Sequence, residues 1–244
     1  TRSLLQDVPP VYNPRIDDAL LAALALCLRS EGGGEQVVVD LESHGRSEAL
    51  AGLDSSRTVG WFTALYPVLL DASGGDPGEV LKAVKETLRS IPDGGIGHGC
   101  LEQLGGGGEL ADALRQAPSP ALSFNYLGQL DRESAGGGAM KALFRMAHEA
   151  MGPAQSPRRR RDHALQINAY VAGGRLVVRF LYCEELHDGA AVEALARRYL
   201  GALEALVKHC VSGEAGGFTP SDFALAELDE AGLAAALEEF DFDD

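Results

Sequence analysis

The feature that most constrains this chain is the way its hydrophobic period switches along the sequence. Short apolar runs with a two-residue period alternate with longer stretches in which apolar residues return every three or four positions. Ile16 to Arg29 reads IDDALLAALALCLR, a helix with Asp17 and Asp18 in its first turn and Arg29 at its end, as the helix dipole favours. Its apolar content predicts burial on more than one face. After a turn at Gly32 to Gly34, Val37 to Leu41 forms a short buried strand, and Val59 to Leu70 is extended, with Pro67 ending the strand. Pro77 to Ser90 is a helix, because Pro77 stands early and Val80, Leu81, Val84 and Leu88 recur at helical spacing. Gly105 to Gly108 is a loop, Leu110 to Leu114 adds a short helix, Ala121 to Tyr126 is a strand, and Gly136 to Gly138 opens another loop. Leu165, Ile167, Ala169 and Val171 alternate into a Gly173-Gly174 turn, and Arg175 to Tyr182 returns as a hairpin. His187-Asp188-Gly189 caps a long helix from Val192 to Val211, with Leu195, Tyr199, Leu203 and Leu206 on one face. Strands alternating with helices predict an α/β layered fold.

Charge and cysteine usage narrow the function classes. Lys+Arg 21 against Asp+Glu 36 gives a net charge of −15, which excludes a general nucleic-acid binder that must offset phosphate. Cys27, Cys100, Cys183 and Cys210 show no paired spacing, so no metal site is expected, and Cys27 and Cys210 lie in apolar helical patterns that predict buried thiols. No apolar run reaches the roughly 18 residues a membrane span requires, and no signal peptide is evident; the expectation is a cytoplasmic protein with no membrane partner.

Chemistry concentrates in four short stretches. Glu42 and His44 lie two apart at the end of the Val37 strand, so a continuing strand would point both to one face. A carboxylate and an imidazole there can relay protons near neutral pH; alternatively Glu42 pairs with Arg46 to fix a turn and His44 fills a polar corner. Arg57 to Pro67 reads RTVGWFTALYP, in which Gly60 permits close approach and Trp61 and Phe62 fill space, a scaffold or else a channel lining. Ile91 to Gly99 reads IPDGGIGHG, a turn after the Pro77 helix and neither a Walker loop nor a dinucleotide fingerprint. Phe124 to Gln129 reads FNYLGQ, whose Phe124 and Tyr126 share one strand face while Asn125 takes the other. Arg158 to Arg161 is a solvated loop or a docking patch for an acidic partner.

In this order the four stretches resemble the C-terminal half of the epimerization domains of nonribosomal peptide synthetases, relatives of the condensation domains. Glu42-Ser43-His44-Gly45-Arg46-Ser47 stands where that family has Glu-Gly-His-Gly-Arg-Glu, with Ser43 for a glycine, Ser47 for an acid and Glu48 one place on. RTVGWFT-x-x-YP and FNYLGQ match without a mismatch, and His98 takes a tyrosine's place in the glycine stretch. The resemblance runs from the Ile16 helix to Thr219-Pro220-Ser221-Asp222-Phe223. It implies a mixed sheet flanked by helices, the chloramphenicol-acetyltransferase-like C-terminal lobe, over residues 1–223, with 224–244 an acidic tail that is a linker or a docking helix for a downstream synthetase subunit. It implies inversion from L to D at the Cα of an aminoacyl or peptidyl thioester on the phosphopantetheine arm of a peptidyl carrier protein, with no cofactor bound by this chain. By the same resemblance Glu42, Asn125 and Tyr126 are catalytic, and His44, Arg46, Trp61 and His98 bind substrate. Asn125 and Tyr126 would orient the thioester or stabilise enolate charge. The family's second acid/base is a histidine of a His-His-x-x-x-Asp-Gly stretch in the N-terminal lobe, and no His-His pair occurs in this sequence. This chain alone is therefore expected to be inactive. The alternative is a non-catalytic condensation-like lobe that binds a carrier or a neighbouring module.

Overall fold

The computed structural model describes all residues except 31, 33, 47–53, 131–151, 153–155, 157, 214, 227 and 240–244. Ser47, Glu48 and the expected loop at 136–138 lie outside the described residues. Strands β1 (Gln36–Ser43), β2 (Ala64–Asp71), β3 (Leu122–Gln129), β4 (Leu165–Ala172) and β5 (Arg175–Tyr182) form one mixed sheet in the order β2-β1-β3-β4-β5. β1 runs parallel to β3 and β3 to β4, while β2 and β5 pair antiparallel at the two edges.

The strand pattern sets two unlike faces. Val39 and Leu41 of β1, Val68 and Leu70 of β2, Phe124 of β3, and Ile167 and Ala169 of β4 are buried under helices α3 (Ile16–Ser30), α4 (Pro77–Ser90) and α7 (Gly189–Val211). α3 packs against both other helices and the sheet, which is why it is buried nearly all round, as its apolar content requires. The other face carries the alternate residues, Asp40 and Glu42 on β1 and Ser123 and Asn125 on β3.

Several expectations are corrected. The extended segment starts at Ala64 rather than Val59, and Pro67 lies inside β2 opposite Asp40. β2 is an edge strand, so a proline without an N–H costs no ladder bond there. The glycine stretch is more than a turn: Pro92–Gly95 is a single 3-10 turn that starts helix α5 (Ile96–Leu104), and α6 (Glu109–Gln116) follows. At the N-terminus, α1 (Arg2–Gln6) and α2 (Pro9–Tyr12) were not foreseen, being too short to show a period. Asp188 caps α7 by accepting from the Ala190 N–H, as expected. Helix α8 (Glu230–Glu239) lies in the tail, with Leu233 buried beside a groove that Ala83 and Phe218 also border. Cys27 and Cys210 are buried thiols.

Candidate active site

The four sequence stretches meet at the carboxyl ends of the parallel strands β1 and β3, where α/β sheets commonly present ligand sites. Each is tied to the next by a specific contact. Gly45 turns the chain at the end of β1 with φ +61, and a Cβ there would lie 1.6 Å from the Phe62 carbonyl oxygen, so only glycine allows the RTVGWFT segment to pass this close. Arg46 donates to the carbonyls of Ser55 and, at 2.8 Å, Thr58, and lies 3.9 Å over the Phe62 ring. Its guanidinium is committed to holding that segment, so Arg46 neither pairs with Glu42 nor lines the cleft described below. The Ser43 hydroxyl donates to the Gly94 carbonyl at 2.7 Å, joining the first stretch to the glycine turn. Gly95, at φ +79, makes room for the Tyr66 ring, which a Cβ would meet at 2.1 Å.

These contacts shape an open cleft of about 800 Å³. Glu42, His44, Trp61, Tyr66, Asn125 and Tyr126 line it, with Arg15, Asp17 and Arg89 at the helix side. Asn125 Nδ2 donates to Glu42 Oε2 at 2.6 Å, which fixes the carboxylate against the central strand β3. Glu42 is exposed to the cleft, and the partial desolvation by its protein neighbours raises its pKa above the ordinary carboxylate value, opposed by the nearby His163 imidazole. His44 Nδ1 accepts from the Arg46 N–H at 3.0 Å, so its ring is set by the turn rather than by Glu42. The Tyr126 hydroxyl is buried and has no hydrogen-bond partner among the described residues. Burial, and secondarily the carboxylate of Asp17, raises the pKa of both Tyr66 and Tyr126, so both phenols are neutral donors. Asp18, fully buried one residue on, is held by Arg89 through bonds of 3.1 and 2.7 Å and by the Arg15 N–H at 2.6 Å. That clamp fixes the start of α3 at the cleft wall.

Two site residues behave otherwise than expected. Trp61 does not fill space in the scaffold; it is 89% exposed and stands at the cleft wall. His98 lines a second cavity of about 460 Å³ with Asp40, Cys100, Glu102 and Arg115, which Glu42 does not line. Sequence reasoning also missed His163, whose Nε2 meets Asp40 Oδ2 at 2.7 Å in a buried pair. A carboxylate in the middle of the apolar run VVVDL was the available signal, since a buried charge demands a partner.

The condensation domain family model matches residues 1–228. The chain belongs to the condensation-domain family. Relatives include one subunit of the linear gramicidin synthase of Brevibacillus parabrevis, 45% identical over 234 residues, covering 96% of this chain and 3% of that protein. Gramicidin S synthase 1 of Brevibacillus brevis is 35% identical over 238 residues, covering 94% of this chain and 21% of that protein. The chain thus spans a small part of the curated relatives it matches. Among solved structures, the epimerization domain from the third module of tyrocidine synthetase B superposes with a TM-score of 0.75 at 33% identity, covering 87% of this chain and 46% of that one. The first condensation domain of the CDA synthetase, at 17% identity and a TM-score of 0.52, shares the fold. The five-stranded mixed sheet with its helices is the chloramphenicol-acetyltransferase-like architecture of condensation and epimerization domains.

Proposed function

We propose that this chain is the C-terminal lobe, residues 1–223, of a nonribosomal peptide synthetase epimerization domain, an isomerase. It inverts L to D at the Cα of an aminoacyl or peptidyl thioester carried on the phosphopantetheine of a peptidyl carrier protein. The observation that carries this reading is the Glu42 carboxyl group, held by Asn125 at the wall of the cleft where all four stretches converge, with a proton affinity raised by desolvation. The likeness to a solved epimerization domain supports it.

A Cα–H beside a thioester is a weak acid, and inversion requires its proton to leave on one face and return on the other. A carboxylate of raised pKa is a stronger base than an ordinary one and remains a usable acid for the return step. Glu42 serves one face; the histidine of an N-terminal lobe serves the other. The Tyr126 hydroxyl, buried at the cleft wall with no partner among the described residues, would donate to enolate charge once substrate reaches it. Asn125 acts by positioning Glu42, since its amide is spent on that carboxylate. Trp61 offers an exposed aromatic face to the pantetheine arm or acyl group. Residues 224–244 form an acidic extension that serves a neighbouring subunit or links to further chain, and the protein is placed in the cytoplasm.

The test is Cα deuterium exchange of a carrier-bound aminoacyl thioester in the complete two-lobed domain. Glu42→Gln should suppress exchange while leaving carrier binding intact. Exchange at the wild-type rate in that variant would remove Glu42 from the mechanism. No exchange in the wild-type domain, with carrier binding retained, would favour the non-catalytic reading.

A further inference from the structure

Glu42 does not stand alone on its sheet face. Asp40, two residues earlier, points to the same side of β1, so the two carboxylates start about 7 Å apart along the strand. His163, in the segment entering β4, reaches over β3, whose Ser123 lies beside Asp40 in register, and meets Asp40 at 2.7 Å. Both partners are buried, and the second imidazole nitrogen, Nδ1, has no hydrogen-bond partner among the described residues. We propose that His163, docked on Asp40, is a positioning residue of charge: it cancels Asp40 and so keeps Glu42 available as a base.

A glutamine could cap Asp40 with an equivalent hydrogen bond, but it could not offset its charge. Without that offset an uncompensated negative charge sits behind Glu42, and like charges disfavour ionisation. The other charged groups do not supply the offset: of those lining the cavity that Asp40 borders, Glu102 is acidic, His98 stands on α5, and Arg115 is spent on Asp112 and on the Glu102 and Gly106 carbonyls. Asn125 of β3 is neutral, and Leu65 opposite on β2 is apolar. His44, at the end of β1, is turned to the Arg46 N–H. Arg89 of α4 is committed to Asp18, Arg15 and Asp17 stand at the start of α3, and Tyr66 and Tyr126 are neutral. The electrostatic pull that His163 exerts on Glu42 agrees with this assignment.

The consequence for catalysis rests on the epimerase reading, but the test does not. The Glu42 carboxyl carbon is titrated by 13C NMR in the 244-residue chain as wild type, H163Q, D40N and D40N/H163Q. H163Q should raise the Glu42 midpoint by about 0.4–0.9 pH unit, the Coulomb scale for unit charges about 7 Å apart at an effective dielectric of about 40–80. D40N/H163Q removes both charges and should return the midpoint to near the wild-type value, whereas a pure packing role would leave it as displaced as in H163Q. D40N alone should lower it or leave it in place, which keeps the test decisive if H163Q fails to fold. An unmoved midpoint in H163Q, a persistent rise in the double variant, or a rise in D40N overturns the proposal. In the complete domain the acid limb of Cα exchange should move with the same signs. Absence of exchange in the wild type would sink the epimerase reading and leave the titration result standing.

Discussion

Replacing Asp222 by asparagine should unfold this domain well before any surface change does. Lys85 is 1% exposed, and its ammonium donates to both Asp222 carboxylate oxygens and to the Tyr12 carbonyl, each at 2.7 Å. Asp222, itself 7% exposed, also accepts from Asn13 at 2.9 Å and from the Thr219 N–H at 2.9 Å. One ion pair therefore ties α2, α4 and the Thr219-Pro220-Ser221-Asp222 segment, while Glu86 accepts from the Ser221 N–H and hydroxyl beside it. Removing one partner of a buried pair leaves an uncompensated charge and costs about 3–5 kcal/mol. For a domain of this size that corresponds to a melting temperature lowered by roughly 6–20 °C. Urea denaturation of wild type, D222N, K85M and K85M/D222N completes a cycle in which the double variant is less destabilised than the sum of the singles by about 2 kcal/mol. Burial would raise the Asp222 pKa, but the Lys85 and Thr219 bonds outweigh it and hold the group below the usual carboxylate value. Its stabilisation is thus complete above about pH 4, the unfolded value, and is lost as pH falls through the lower folded value. A cost below about 1 kcal/mol for D222N, or no coupling in the cycle, would refute the reasoning.

Gly45→Ala combines a positive φ with a Cβ driven into the Phe62 carbonyl, so it should cost at least about 2 kcal/mol by urea titration. Trp61→Ala should change stability by no more than about 0.5 kcal/mol, because the side chain is already in solvent, yet weaken capture of an aminoacyl-carrier measured by calorimetry. The rate of Cα exchange should rise with pH along a limb set above the ordinary carboxylate range, because desolvation raises the Glu42 pKa; a stopped-quench pH series reads it directly. The same shift means that ionised Glu42 disfavours the folded state, with stability lost as pH rises through its folded pKa. Glu42→Gln should accordingly unfold no earlier than wild type near pH 7, which separates loss of exchange from loss of fold.

The elements with a long, clean period were legible in the sequence. Pro77–Ser90 and the Leu165–Tyr182 hairpin have the bounds that their patterns dictate, because a proline start and a Gly-Gly turn punctuate them. Elements shorter than a full period escaped: Arg2–Gln6 and Pro9–Tyr12 show no repeat, and the glycines of Ile96–Leu104 disguise a helix as a loop. Pro67 misled for a topological reason, since a sequence alone does not reveal which strand becomes an edge.

For the candidate site, the stretches that converge on the cleft were legible and the partnerships within it were not. Glu42 and Asn125 do come together and Tyr126 lines the same cleft, but nothing in the spacing showed that Asn125 would spend its amide on Glu42, or that Arg46 would turn away to hold Thr58 and Phe62. Both outcomes depend on which loop closes over which strand, a property of long-range packing. The two buried charges carried a clearer warning. Asp40 interrupts an apolar strand, and Lys85 falls at helical spacing between Leu81 and Leu88 on the inward face. A charge on a buried face requires a hydrogen-bonding or charged partner from elsewhere in the chain. Here those partners are His163 and Asp222, 123 and 137 residues away in sequence. Each pair sits where separate segments must be joined: one under the proposed base, the other where the chain leaves the sheet domain for its tail. A polar residue that breaks a hydrophobic pattern is therefore the most economical pointer, in this fold, to the contacts that periodicity does not encode.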